Sequence, residues 1–347
     1  MIGFRVDANE KIALGHLMRC ITIAKGFQKA GENVIFFLAE DKETKRLVEQ
    51  NIPYIILQSN WKNLEQEVPI LISKIKKYEV SRLIVDSYQA TKEYLERLNA
   101  WVKVIYMNDS YIEEIKEKYD ITGVIHYSNW PGDERYKNIY KNSNTICMAG
   151  MEYTPLRDEF YPFLGKREKR NVLLTTGGTD PYNITGRMLE YAKEQRLKGQ
   201  VFATDVHFLV IIGSMYQNKS YLETLERKND WITLYNNVNN MGELMRKSYV
   251  AVSAGGTTIY ELCACEIPII SFSFADNQEN FVREMGERNI LYYAGDVRKE
   301  EKVIEYLYNE LVMLWKDDEI YKQYREKMRK LIDGKGVQRI VKTVLEC

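Results

Sequence analysis

Residues 2–20 read IGFRVDANEKIALGHLMRC. An apolar run, IGFRV, passes through a polar loop into a stretch whose apolar residues fall at helical spacing, predicting a strand at the start and a helix near 16–30. This is the opening of a βα unit, and the same alternation repeats along the first half. The runs NVIFFLA, YIIL, SRLIVD, KVIYMND and ITGVIH are separated by helical patterns near 42–50 and 91–99. Short β-branched and aromatic runs alternating with helices predict a parallel sheet covered on both faces.

Between about 148 and 170 the alternation stops in MAGMEYTPLRDEFYPFLGKREKR. It restarts with NVLLTTGG, HFLVIIG, WITLYNN, YVAVSAGG and IPIISFSF. The reading is therefore two doubly wound α/β domains: residues 1–150, a linker at 151–170, and residues 171–347, ending as helix, a break at GKG, and helix. No repeat, low-complexity tract or heptad seam is present.

Lysine plus arginine equals aspartate plus glutamate, so no net charge draws the chain to nucleic acid or an anionic membrane. No window approaches the length of a spanning helix and no signal peptide opens the chain, which predicts a cytoplasmic protein without stable membrane insertion. Five scattered cysteines, with Cys263-x-Cys265 in an apolar helical pattern, read as reduced thiols rather than as a disulfide framework or a zinc site. Oligomeric state is left open.

Ligands of open parallel sheets bind where loops leave the carboxyl ends of strands, so those loops carry the candidate chemistry. Gly15 lets backbone approach a ligand, and His16 meets the positive end of the helix dipole, which disfavours a protonated imidazole. His16 is either a base that activates water or a residue that packs at the helix start. TTGGTDPYN offers Gly177, Gly178 and Thr179 to a phosphate, or simply makes a tight turn. SAGGTTIYELC repeats the arrangement with Ser253, Gly255, Gly256 and Thr257, and Glu261 follows as a carboxylate suited to ribose hydroxyls or as a solvated helix residue. In SFADNQENF, Asn277 and Gln278 suit sugar hydroxyls and phosphate oxygens, or cap a helix. Asp86 and Asp109 end strands at the rim of the first sheet, where Asp86 is a candidate substrate contact, or such carboxylates simply cap helices. No dinucleotide fingerprint or P-loop is present, which argues against a dehydrogenase.

Taken together and in order, FRVDANEKIALGHLMRC, VDSY at 85, EYTPLRDEF at 152, LLTTGGTD at 173, SAGGTTIYEL at 253 and DNQEN at 276 resemble the UDP-2,4-diacetamido-2,4,6-trideoxy-β-L-altropyranose hydrolases of pseudaminic acid biosynthesis and the related spore-coat polysaccharide proteins. The resemblance implies a GT-B architecture of two Rossmann-like domains facing across a cleft, with the UDP held by the second. It implies that His16, in a motif with Gly15 and Arg19, deprotonates a water that attacks the anomeric carbon, and that UDP leaves with inversion, without metal or cofactor. It further implies that the amides at Gly177, Gly178, Gly255, Gly256 and Thr257 stabilise the diphosphate, that Glu261 holds the ribose, and that Asn277 and Gln278 contact diphosphate or sugar. Arg5 and Asp7 would position His16 or a substrate acetamido group, and Arg157 would close the cleft. The segment MNDS departs from the family's more acidic pattern, leaving Asp109 a weak candidate for sugar contact. An inverting glycosyltransferase with a UDP-sugar donor and a non-catalytic nucleotide-sugar binding protein are the competing readings.

Overall fold

A computed structural model describes residues 1–7, 15–42, 44–108, 118–127, 134–162, 170–213, 215–236, 238 and 240–347, except the side chains of Val201, Ala203 and Asn277. It divides into two compact units, 1–157 with 334–347, and 158–333.

The first unit holds strands β1 (Ile2–Val6), β2 (Val34–Leu38), β3 (Tyr54–Ile56), β4 (Arg82–Asp86), β5 (Lys103–Met107), β6 (Gly123–His126) and β7 (Ile146–Ala149). Between them run helices α1 (Gly15–Lys29), α2 (Lys45–Glu49), α3 (Val68–Lys77), α4 (Lys92–Asn99) and α5 (Arg135–Tyr140). The strands form one parallel sheet in the order β3-β2-β1-β4-β5-β6-β7. Every residue of β1 and β2 is buried, as a sheet covered on both faces requires. Phe4 stacks on Phe36 at 4.8 Å between ring centres and meets Phe27 of α1 edge-on, so α1 is fastened to β1 by aromatic packing.

The second unit holds β8 (Asn171–Thr175), β9 (His207–Ile212), β10 (Ile232–Asn236), β11 (Val250–Ala254), β12 (Ile269–Ser273) and β13 (Tyr292–Asp296), parallel in the order β10-β9-β8-β11-β12-β13. Its helices are α6 (Ile184–Leu197), α7 (Val201–Asp205), α8 (Lys219–Lys228), α9 (Met241–Lys247), α10 (Thr258–Ala264), α11 (Asp276–Glu287), α12 (Val303–Lys316) and α13 (Asp318–Leu331). Cys263 and Cys265 are fully buried and not joined in a disulfide, the Cys263 thiol pushed up by burial.

The terminal helix α14 (Gly336–Glu346) corrects the expected domain limits. The sequence reading gave all of 171–347 to the second domain, but residues 334–347 return to the first unit. The reason is fit: a Cβ on Gly26 of α1 would lie 2.3 Å from Val337 Cγ1, and one on Gly336 would lie 2.1 Å from the Thr154 carbonyl oxygen, so both contacts require glycine. Arg339 Nη1 then donates to the Glu152 carbonyl at 2.9 Å, and Arg82 Nη2 donates to the Leu345 carbonyl at 2.8 Å. No described helix is long and apolar enough to cross a membrane.

Candidate active site

In each sheet the direction of strand addition reverses once, between β1 and β4 and between β8 and β11. Beyond the carboxyl ends of strands at such a reversal, diverging loops leave a crevice. His16, Arg19 and Asp86 lie at the first of these places and the two glycine-rich loops at the second, each within its own unit.

In the first unit, α1 follows β1 and carries His16 and Arg19, one helical turn apart and so on one face. Asp86, the last residue of β4, lies opposite them. His16 Nδ1 is 2.6 Å from Asp86 Oδ1; Arg19 Nε donates to Oδ2 at 2.6 Å and Nη2 to Oδ1 at 2.5 Å. Cys20 Sγ donates to Oδ2 at 3.4 Å, its thiol pushed up by burial. Burial by itself would raise the Asp86 carboxyl, but the Arg19 charge and the hydrogen bonds from Arg19 and His16 outweigh it and hold the group at about 2.

The arrangement fixes the imidazole tautomer. Arg19 Nη2 also stands 2.9 Å from His16 Nδ1, but an Nδ1 lone pair 2.6 Å from an ionised carboxylate oxygen would be repelled. A proton therefore sits on Nδ1, Asp86 Oδ1 accepts from both nitrogens, and in the neutral imidazole the lone pair belongs to Nε2. The His16 side chain is 11% exposed, and the ring of Tyr88 packs edge-on against it at 4.6 Å. Gly15 has no described atom within 4 Å of a built Cβ. Crowding by described atoms does not explain the glycine.

Three sequence expectations change here. Asp86, expected to meet substrate, is 1% exposed, with both oxygens occupied by His16, Arg19 and Cys20. Arg5, expected near substrate or His16, is wholly buried: it pairs with Asp7 at 2.7 Å and with Glu67 through Nε at 2.5 Å and Nη2 at 2.9 Å. Burial would lower its guanidinium, but Asp7 and Glu67 more than offset this and raise it. Asp7 also accepts the Ala39 amide at 2.9 Å, and Tyr94 and Ser59 hydroxyls donate to Glu67. Arg5 and Asp7 are thus engaged with Glu67 and the end of β2, bracing the carboxyl end of the interior strand β1. Asp109 lies outside the described residues. Arg157 is exposed at the last residue of the segment 1–157.

In the second unit, the loop after β8 carries Gly177 and Gly178, both exposed, and half-buried Thr179. Gly177 has φ +84°, a left-handed conformation that favours glycine, and its N–H donates to Thr175 Oγ1 at 3.2 Å. A Cβ on Gly213 would lie 2.3 Å from the Gly177 carbonyl oxygen, so the loop after β9 passes directly beneath. From that loop the Tyr216 hydroxyl meets the Thr176 hydroxyl in a short hydrogen bond and accepts the Thr176 amide at 3.3 Å. Asp180 caps α6, accepting the Ile184 and Thr185 amides at 2.8 and 2.9 Å. Gly213 and Tyr216 were not anticipated; the only sequence sign was the glycine ending HFLVIIG.

The loop after β11 separates two glycines that look equivalent in sequence. A Cβ on Gly255 would strike Val282 Cγ1 of α11 at 2.7 Å, whereas one on Gly256 would meet nothing within 4 Å. The Gly255 amide donates to the Phe272 carbonyl at 2.9 Å, and the Gly256 amide to the Ala254 carbonyl at 2.8 Å. Neither N–H remains for a diphosphate, contrary to expectation; the amides left without a described backbone acceptor are those of Thr257 and Thr258. Ser253, expected in this loop, is the buried fourth residue of β11 and donates to the Ala254 carbonyl at 3.1 Å. Glu261 stands half-buried in the first turn of α10. Gln278 Oε1 accepts the Phe274 amide at 3.1 Å, and the Asn277 side chain is outside the description.

Two parallel-sheet α/β domains of this topology define the GT-B class, and solved structures of that class match over the whole length. MurG of Acinetobacter baumannii covers 100% of this chain and 99% of its own, with TM-score 0.68 and 14% identity. HepE of Anabaena, solved with UDP, covers 100% of both with TM-score 0.61 and 14% identity.

Within that class, residues 172–333 match the glycosyltransferase family 28 C-terminal domain. The chain is 21% identical over 352 aligned residues to the spore coat polysaccharide biosynthesis protein SpsG of Bacillus subtilis, covering 98% of this chain and 96% of that one. It is 23% identical to the UDP-2,4-diacetamido-2,4,6-trideoxy-beta-L-altropyranose hydrolase of Campylobacter jejuni, over 80% of this chain and 93% of that one. It is 24% identical to protein MJ1062 of Methanocaldococcus jannaschii over 78% of this chain, and spans 54% of that longer relative.

Proposed function

We propose that the chain is an inverting nucleotide-sugar hydrolase that cleaves the anomeric C–O bond of a UDP-linked diacetamido-trideoxyhexose, in biosynthesis of a nonulosonic acid or a surface polysaccharide. The observation that carries the reading is the His16–Asp86 pair. An imidazole whose Nδ1 proton is held by a buried carboxylate presents the Nε2 lone pair, the group a base needs. In the proposed step Nε2 takes a proton from water while the water oxygen bonds to the anomeric carbon. The C–O bond to the diphosphate breaks, its electron pair stays on the phosphate oxygen, and the sugar leaves inverted at that carbon. Asp86 stabilises the imidazolium that forms.

The second unit is assigned the nucleotide. The amides of Thr257 and Thr258, with the open space at Gly256, suit the departing diphosphate. Glu261 is assigned the ribose, and Gln278 with Asn277 the diphosphate or sugar. The relative named as a hydrolase and the two glycine-rich loops support this reading.

A second reading, an inverting glycosyltransferase in which Nε2 deprotonates an acceptor hydroxyl, draws on the family 28 match. Incubation of the purified chain with a panel of nucleotide-sugars, without acceptor, separates the two. Nucleotide release at catalytic rates supports hydrolysis; release only when a glycan or lipid acceptor is added favours transfer.

A further inference from the structure

The motif that carries Asn277 and Gln278 opens with a carboxylate. Asp276 is the first residue of α11, its side chain 91% exposed, and Glu279 follows in the same turn. Acidic groups in a first turn favour the helix, whose amino end is positive, but they repel a diphosphate brought to that end. Compensating charge comes from the loop after β13. Arg298 Nη2 donates to Asp276 Oδ1 at 2.7 Å, and Lys299 Nζ donates to Glu279 Oε2 at 2.7 Å. Arg283, one turn further along α11, also donates to Glu279.

Arg298 is not a loose surface side chain. Its backbone N–H and Nε donate to Asp296 Oδ1 at 2.9 and 3.0 Å, and Nη2 donates to Asp296 Oδ2 at 2.6 Å. Asp296, the last residue of β13, is 4% exposed, so the guanidinium is fixed to the sheet and reaches out to the head of α11. Three carboxylates, Asp276, Glu279 and Asp296, meet three cations, Arg283, Arg298 and Lys299, and the cluster is neutral. We propose that Arg298 is a positioning residue for the nucleotide that acts through charge: by neutralising Asp276 it lets the start of α11 accept a diphosphate. The inference rests on the proposed assignment of Asn277 and Gln278 to that diphosphate or its sugar. Removing Arg298 leaves one uncompensated negative charge in the cluster; removing Asp276 as well restores neutrality.

The test is a double-mutant cycle read as UDP affinity by calorimetry, with Tm measured on each variant. Arg298→Gln, which keeps an amide donor for Asp296, is expected to weaken UDP binding about three- to tenfold at low salt. That deficit should shrink towards none at about 0.5 M salt, where screening shortens the reach of the charge. Asp276→Asn alone is expected to bind UDP at least as tightly as the native chain, and the double variant to return to within about twofold of it. A mere tether between loop and helix predicts the opposite, since Asp276→Asn cuts the same contact and cannot repair it. UDP affinity unchanged in Arg298→Gln, or not recovered in the double variant, overturns the proposal. Where Arg298→Gln fails to fold, Asp276→Asn decides: weakened UDP binding overturns the proposal. If the native chain binds no UDP, the nucleotide reading fails and this inference falls with it.

Discussion

His16 at a helix start is a common sight; His16 with its Nδ1 2.6 Å from a carboxylate held at about 2 has the fixed tautomer that the proposed base requires. His16→Ala is expected to reduce turnover by about 10²–10⁴-fold while leaving UDP affinity, measured by calorimetry, unchanged. Asp86→Asn cannot hold the Nδ1 proton in the same way and removes a buried carboxylate that pairs with Arg19, so kcat should fall roughly 10²-fold and Tm should drop. The Asp86 carboxyl is lowered in the fold, so its contribution is present above its ordinary value of 3.8 and is lost as pH falls towards about 2. Thermal scans should accordingly show the gap between native chain and variant closing over that interval. The motif Gly15, His16, Arg19 was legible because it lies within five consecutive residues. Its partner was not, because only strand order brings β4 beside β1. Arg5 was misread for the same reason: Glu67, which neutralises it, lies 62 residues away.

Gly255 and Gly256 argue at the level of the loop. Gly255→Ala drives a methyl into α11 and should lower Tm; Gly256→Ala adds one into open space and should leave Tm unchanged while weakening UDP binding. Equal effects on Tm would contradict the division of labour. Strands legible as apolar runs are those buried on both faces, such as β1, β2 and β12. The two missed strands, β7 and β13, are sheet edges with half-buried residues, and β13 carries Gly295 at φ +118° beside a register shift against β12. ICMA is apolar but only four residues long at the point where the alternation stops, and YYAGD breaks off in a glycine and an aspartate, so neither stands out as a strand. The residues bracing the glycine-rich loops, Gly213 and Tyr216, were equally hidden, since their role depends on β9 lying beside β8.

At the scale of the molecule, each unit's stability is set by its own core, and the second carries a built-in pH dependence. Glu310 of α12 is 6% exposed, its Oε1 has no hydrogen-bond partner among the described residues, and burial raises its carboxyl from 4.5 to about 7. A raised acid binds its proton more tightly in the fold, so stability is full below 4.5, falls as pH rises through about 7, and is level beyond. Glu310→Gln should therefore match the native chain in Tm near pH 4.5 and exceed it by a few degrees at pH 8. The overall class was readable from alternating runs, whereas the return of α14 to the first unit was not, because chain proximity pointed to the second.

The most direct test of the account is nucleotide release from UDP-linked diacetamido-trideoxyhexose without acceptor, by the native chain and by His16→Ala. The account predicts stoichiometric UDP and free sugar, initially inverted at the anomeric carbon, from the native chain, and UDP binding without release from the variant. Turnover retained by His16→Ala, or nucleotide release by the native chain only when an acceptor is supplied, would contradict it.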